Sequence, residues 1–392
     1  MALPSNKHGN SLDLPKEFAK PVCGIAQLLH DVHPAATIDR GMQMVRIFDG
    51  HNDFLQRVVA AGQGGTDLWL KGDGTGHLDL PRMKQGGLVG GFFAIWIPSP
   101  SGFSDPDAQS KMENPPFDMP LPPQISDIDA LPSAFAQASA LLALERSGTL
   151  SIARKAADLT ESIDQGRIAA IMHMEGAEAI SDPDALHLWH AAGLRSLGPV
   201  WSRPTRYAEG VPFAFPASPD IGGGLTAAGR DLVRECNALG IMLDLSHLNE
   251  AGMNDIAALS DAPLVASHSG VHAISESSRN LTDRQLRQIA DSRGLVGLNF
   301  ASSFLRPDGR RIALDDLDVM LRHLDHLLSI LGEDGVAFGS DFDGALMPRD
   351  IPDAAGLPNL ITAMQNHGYG EALINKIACD NWIDLLKRTW KA

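Results

Sequence analysis

Eight apolar runs of strand length recur along this chain, and segments with helical periodicity separate them, an alternation that restricts the fold more than any single motif does. The runs are residues 44–50 (MVRIFDG), 90–98 (GGFFAIWIP), 168–176 (IAAIMHMEG), 195–201 (RSLGPVW), 241–247 (IMLDLSH), 263–269 (PLVASHS), 295–300 (LVGLNF) and 335–344 (GVAFGSDFDG). Between them lie patterns such as SAFAQASALLALERSG and LDDLDVMLRHLDHLLSILG, several opened by Ser, Thr, Asn or Asp and closed by Gly. Eight strands alternating with helices predict an α/β protein built as a single (β/α)8 TIM-like barrel rather than an open doubly wound sheet. The absence of GxGxxG after the first strand and of GxxxxGK[ST] anywhere removes the main support for a nucleotide-binding sheet.

Residues 1–44 are expected to form an N-terminal extension packing on the barrel, and residues 45–392 the barrel itself. Two Pro-rich segments, near 97–133 and 201–224, do not fit regular βα units. Each follows a strand, so both are expected at the C-terminal face as lids or pocket walls. A net charge of -16 with no clustered Lys and Arg excludes nucleic acid and anionic membrane as natural partners. The first residues lack a charged-then-apolar leader, and no run of about 18 apolar residues occurs, so a soluble, cytoplasmic protein is expected. Cys23, Cys236 and Cys379 show no CxxC spacing and are read as small buried residues.

In a barrel of parallel strands all eight C-terminal ends converge, so the polar residues there can be read as one set. Strand one ends in His51 and Asp53, strand three in Glu175, strand five in His247, strand six in His268, and strand eight in Asp341 and Asp343. His51 and Asp53, two apart, are expected to share a face. A single catalytic zinc needs only three protein ligands, so five imidazole and carboxylate candidates suit two metals. The economical assignment gives one ion to His51 and Asp53 and the other to His247 and His268, with Glu175 bridging. Two such ions can hold a shared hydroxide and polarise a carbonyl, which is hydrolase chemistry. Asp341 is left to carry a proton from the attacking water to a leaving amine, and Asp343 serves equally well on this argument. His173 shares the face of Glu175 and is read as supporting or packing. His187, His190, His323 and His326 sit at helical spacing and are read as solvated or interhelical.

Taken together, FDGHND, HLDLPRM, GGLVGGFFAIW, MEGAEAI, DLSH, ASHSGVHAI, SRNLTDRQL and GSDFDG resemble, in order and spacing, the membrane (renal) dipeptidase family of zinc metallopeptidases. The resemblance implies a barrel with two Zn2+ per chain, bridged by Glu175 and a hydroxide or water, that cleaves dipeptides, including those with a C-terminal D-residue. It implies His51, Asp53, Glu175, His247 and His268 as ligands, selects Asp341 over Asp343 as proton shuttle, and places Arg279 where the family grips the dipeptide's free carboxylate. The family is often dimeric, so a homodimer is expected. Two positions depart from the pattern. Trp201 stands where better-studied members carry a histidine contacting the substrate, so either its indole N–H, or Arg203 or Arg206, supplies that donor, or the substrate differs. Glu178 replaces a histidine in the EGGH-like motif and is read as supporting. Arg203 and Arg206 also raise the expectation that an acidic side chain is accepted. Two rival functions are a two-metal amidohydrolase acting on a lactam, lactone or other small amide, and an inactive barrel used for binding.

Overall fold

The computed structural model describes residues 44–100 and 107–390, so the expected N-terminal extension, apart from Met44, lies outside the described residues together with Cys23. Eight parallel strands correspond to the eight predicted runs: β1 (Ile47–Asn52), β2 (Leu88–Trp96), β3 (Ile168–Glu175), β4 (Leu194–Gly198), β5 (Met242–Leu243), β6 (Val265–Ser269), β7 (Leu295–Asn299) and β8 (Val336–Gly339). Ladders join β1 through β5 in chain order and β6 through β8 likewise. Two parallel bridges, Asp244 to Val265 and Asn52 to Phe342, close the ring. The predicted barrel is therefore the observed one.

Three strands are shorter than the sequence suggests, and side chains explain two of them. Past β5, Asp244 Oδ1 accepts from the Ser246 N–H (3.1 Å) and the Ser267 N–H (2.8 Å), so side chain replaces ladder and His247 sits in a turn. Past β8, Asp49 Oδ1 takes the Ser340 N–H at 2.7 Å, and Asp341 and Asp343 lie in the turn that follows. The fourth strand stops at Gly198, leaving Trp201 in a loop. A short strand not expected from sequence, Leu150–Ile152, pairs with the first half of β3, whereas β4 pairs with its second half.

Inside the barrel, Phe48, Phe92, Ile171, Met242, Val265, Leu295 and Ala337 form an apolar floor around Trp382, which reaches in from the helix Asn381–Thr389. The Trp382 Nε1–H donates to the Phe338 carbonyl at 2.8 Å, and its ring lies 4.9 Å from that of Phe92. Gly50 on β1 is small because of it, since a Cβ there would stand 2.5 Å from the indole. Burying about 200 Å² of indole stabilises the floor by about 5 kcal/mol.

The helices start as their caps predict. Thr282 and Gln285 form a capping box before Asp283–Asp291, Asn249 accepts from the Gly252 N–H at 3.0 Å, and Asp182 from the Ala185 N–H at 2.8 Å. The two irregular loops meet each other: Phe117–Asp118 and Ala214–Phe215 form an antiparallel ladder, extended by the Met119 N–H donating to the Phe213 carbonyl at 2.9 Å. Among the described residues no helix is long and apolar enough to cross a membrane. Cys236 and Cys379 are buried, as expected.

Candidate active site

Alternate residues of β3 climb the inside of the barrel: Ala169 and Ile171 belong to the floor, His173 lies above them, and Glu175 is at the top. On β1 the inward residues are Phe48 and Gly50, and a register irregularity between Asp49 and Asn52 then turns His51 inward as well. The side chains meet at Glu175. Its Oε1 lies 3.0 Å from His247 Nε2, 3.4 Å from His268 Nε2 and 3.6 Å from His51 Nε2. On another side of His51, Nε2 is 3.6 Å from Asp53 Oδ2. His51 stacks on His268 with ring centroids 3.8 Å apart, and His247 Nε2 is 3.2 Å from His268 Nε2. The groups close enough to share an ion are His51–Glu175–His268, His51–Asp53–Asp341 and, one layer down, His51–His173–Asp244.

The arrangement fits a cation on its own terms. Both ring nitrogens of His51 are buried without a hydrogen-bond partner among the described residues. Burial pushes the Glu175 carboxyl well above its usual range. Burial, with the charges of Arg279 and His51, holds His247 and His268 well below the usual imidazole range, so both are neutral and have lone pairs to donate. His51 goes the other way: burial opposes its charge, but Glu175 and Asp53 outweigh that and lift it to about 10. The same field that holds a proton there would hold a metal ion.

Serine hydroxyls orient the imidazoles of His247 and His268, and a carboxylate backs one of them. Ser267 Oγ lies 2.8 Å from His268 Nδ1 and donates to Asp244 Oδ2, while Ser202 Oγ is 2.9 Å from His247 Nδ1. Donation from each Nδ1–H to its serine leaves the Nε2 lone pairs facing Glu175. Asp49 fixes the turn after β8 by accepting from the Ser340 hydroxyl at 2.8 Å. His173, read from sequence as supporting or packing, has its Nδ1 2.8 Å from Ser196 Oγ and its Nε2 3.5 Å from Asp244, and burial lowers it to about 4. Asp49 and Asp244 were not singled out from sequence, although each sits two or three positions before a candidate ligand, in FDGH and LDLSH.

The two acids after β8 have different surroundings. Asp341 faces His51 and Asp53, accepts from Asn299 Nδ2 at 2.9 Å, and is pushed up by burial. Asn299 ends β7 and was also missed. Asp343 is occupied by the Gly72–Asp79 turn, accepting from the His77 N–H at 2.6 Å and lying 3.4 Å from Arg57 Nη1. Both have positive φ (62° and 66°), a conformation Asp tolerates better than most residues, and Gly344 follows because a Cβ there would press on Asp53 Oδ2 and Asp341 Oδ1.

A cavity of about 380 Å³ opens above this cluster. Trp201 lines it, 5.1 Å from Trp96 and 5.8 Å from His247 between ring centroids, and its indole N–H has no partner among the described residues. Arg203 does not face substrate: fully buried, it pairs with Glu178 at 2.7 Å and donates to the Ile97 carbonyl at 2.8 Å. Arg206 donates to the Ser181 carbonyl. Arg279 is only 2% exposed, with Nη1 donating to the Ser246 carbonyl and Nη2 to that of His268 at 3.3 Å, while Nε is unpartnered. Its Cζ lies 5.4 Å from the centroid of Phe304, a cavity residue. Three of the four histidines read at helical spacing have partners away from the cavity. His187 meets Glu235 and His326 meets Asp283 across helices, and His323 is buried between the Val271 N–H and the Leu305 carbonyl.

The family model for membrane dipeptidase (peptidase family M19) matches residues 36–391. A crystal structure of a metallo peptidase from Rhodobacter sphaeroides, liganded with a phosphinate mimic of the dipeptide L-Ala-D-Ala, is 58% identical with a TM-score of 0.87, covering 89% of this chain and 100% of that one. The dipeptidase tcpJ of Claviceps purpurea is 28% identical over 386 residues, 96% of this chain and 84% of its own. An uncharacterized protein in the pqqA 5' region of Klebsiella pneumoniae is 45% identical over 245 residues, 62% of this chain and 90% of that one.

Proposed function

Because this chain belongs to the membrane dipeptidase family, peptidase family M19, whose members are metal-dependent hydrolases, we propose that it is a binuclear zinc dipeptidase that accepts a C-terminal D-residue. One observation carries the reading: Glu175 Oε1 stands within 3.6 Å of the Nε2 atoms of three buried histidines, with Asp53 and Asp341 beside His51. Two zinc ions held by His51, Asp53, Glu175, His247 and His268 would supply Lewis acidity toward the peptide carbonyl and acidify water in the site.

The remaining steps belong to the chain's own residues. Arg279 offers its unpartnered Nε–H to the free carboxylate of the dipeptide and so sets the register of the scissile bond. Trp201 offers its indole N–H to the substrate, where it can donate but not titrate. Asp341, steadied by Asn299, takes a proton from the attacking water; as the C–N bond breaks, it delivers that proton to the leaving amine nitrogen. At about 380 Å³ the cavity lies near the lower end of small-molecule sites, about 300–1,000 Å³, which suits two residues rather than a protein chain.

The test is a dipeptide panel, with L- and D-residues at the C-terminal position, run on protein whose metal content has been measured. Two zinc per chain and hydrolysis of both stereochemical classes are expected. Turnover confined to lactams, lactones or other cyclic amides would overturn the assignment in favour of an amidohydrolase, and two zinc with no hydrolysis of any substrate in favour of a binding protein.

A further inference from the structure

We propose that Arg311 selects dipeptides bearing an acidic side chain, a specificity contact that rests on the dipeptidase reading above. Arg311 lines both the cavity over the histidine cluster and a neighbouring groove of about 460 Å³ beside the Ala108–Glu113 helix. Met112, Trp201 and Phe213 also line both, so Arg311 stands at their junction. Among the described residues it is the sole Lys or Arg on the wall of the first cavity, where the other charged side chains are Asp53, Glu175, Asp341 and Asp343.

Its neighbours are occupied and it is not. Arg306 holds Asp308 through two hydrogen bonds of 2.8 and 2.7 Å, Arg310 donates Nε–H to the Glu113 carbonyl at 2.9 Å, and Arg349 pairs with Asp315. The half-buried Arg311 side chain has no hydrogen bond or ion pair among the described residues. A guanidinium that gives up water without gaining a counter-ion is costly, and an anionic ligand removes that cost. The backbone beneath it is held in place: the Arg311 N–H donates to the Met112 carbonyl at 2.9 Å, the Gly309 N–H donates to the Arg306 carbonyl at 3.0 Å, and Gly309, at φ +64°, packs against the Phe215 ring. Binding therefore orders little that is not already ordered.

The other arginines near the site leave this role open. Arg203 is saturated by Glu178, Ile97 and Ser99, Arg206 donates to Ser181, and both Nη atoms of Arg279 already serve backbone carbonyls. A site built around a charged hydrogen bond discriminates strongly against the isosteric amide that lacks the charge.

The experiment compares kcat/KM of the zinc-loaded enzyme for Ala–Asp against Ala–Asn and for Asp–Ala against Asn–Ala, with both configurations at the C-terminal residue. Arg311→Ala, Arg311→Lys and Arg311→Glu are measured beside the unaltered protein. An acid-over-amide ratio of about tenfold or more is expected at one position. It should fall toward one in Arg311→Ala while the amide substrate changes by less than about twofold, persist in part in Arg311→Lys, and invert toward a Lys-containing dipeptide in Arg311→Glu. Calorimetric Kd values for the Ala–Asp and Ala–Asn phosphinate analogues read the same ratio without turnover. A ratio below about two at both positions in both measurements overturns the proposal. So does an Arg311→Ala variant that lowers all free-acid dipeptides alike but spares dipeptide amides, because Arg311 would then grip the main-chain carboxylate. Failure of the unaltered enzyme to cleave any dipeptide, acidic or neutral, would instead count against the dipeptidase reading itself.

Discussion

Replacing Arg203 by methionine removes the counter-ion of a carboxylate that has no access to water. Both side chains of the Glu178–Arg203 pair are fully buried, and the guanidinium also serves the Ile97 carbonyl and Ser99 Oγ while lying 5.4 Å over the Trp201 ring. Breaking a buried pair from one side costs about 3–5 kcal/mol, because the partner charge stays desolvated, and the orphaned carbonyl adds to it. We expect about 4 kcal/mol for Arg203→Met, and less than about 2 kcal/mol for Glu178→Leu with Arg203→Met, where neither charge remains. Burial pushes the Glu178 carboxyl above its usual range while Arg203 pulls it down, so loss of Arg203 raises it further. A carboxyl raised in the folded state is destabilising where it must ionise. The deficit of Arg203→Met should therefore be smallest below pH about 4.3 and grow as pH rises toward and through the raised pKa. Urea unfolding followed by tryptophan fluorescence at several pH values measures all three quantities. A single-variant cost below about 1 kcal/mol, a double variant as unstable as the single one, or a deficit that shrinks with rising pH would each refute the reasoning.

Asp341→Asn should keep its metal content and lose turnover by about a hundredfold or more; zinc analysis beside kcat separates the two, and equal activity would end the proton-shuttle assignment. In Gly344→Ala, a Cβ pressing on Asp53 and Asp341 should cut kcat/KM by more than about tenfold with little change in melting temperature, read from matched thermal scans. Trp382→Ala should hollow the barrel floor at a cost of about 3–5 kcal/mol, and a denaturant midpoint close to that of the unaltered protein would contradict the packing described. Chelation should abolish hydrolysis and lower Tm, both restored by two equivalents of zinc; one equivalent sufficing would argue for a single ion.

Continuous apolar runs made the eight strands legible because strands covered on both faces need no polar alternation. His51, Asp53, Glu175, His247 and His268 were legible for a related reason: a parallel barrel brings strand ends together, so position along the chain predicts position in space. What escaped depends on contacts that no local pattern encodes. Asp244 stops β5 by capturing the Ser267 amide from the neighbouring strand, Asp49 does the same to Ser340, and Asn299 matters only because Asp341 turns toward it. Arg203 and Arg311 look alike in sequence; one found Glu178 across the barrel mouth and the other found no partner among the described residues, which only tertiary structure decides.

The tryptophan at the bottom of the barrel sets an order of events during synthesis. Trp382 follows the last barrel strand in the chain, yet it packs against Phe92 and against the backbone at Gly50, and Phe92 in turn supports His173 beneath the histidine cluster. The ribosome delivers that keystone after every barrel strand has emerged. Until then the interior is an open apolar well, so the nascent chain has a complete set of strands but no finished centre. Its interval of greatest exposure to aggregation and to chaperone capture therefore falls between the emergence of β8 and the arrival of Trp382.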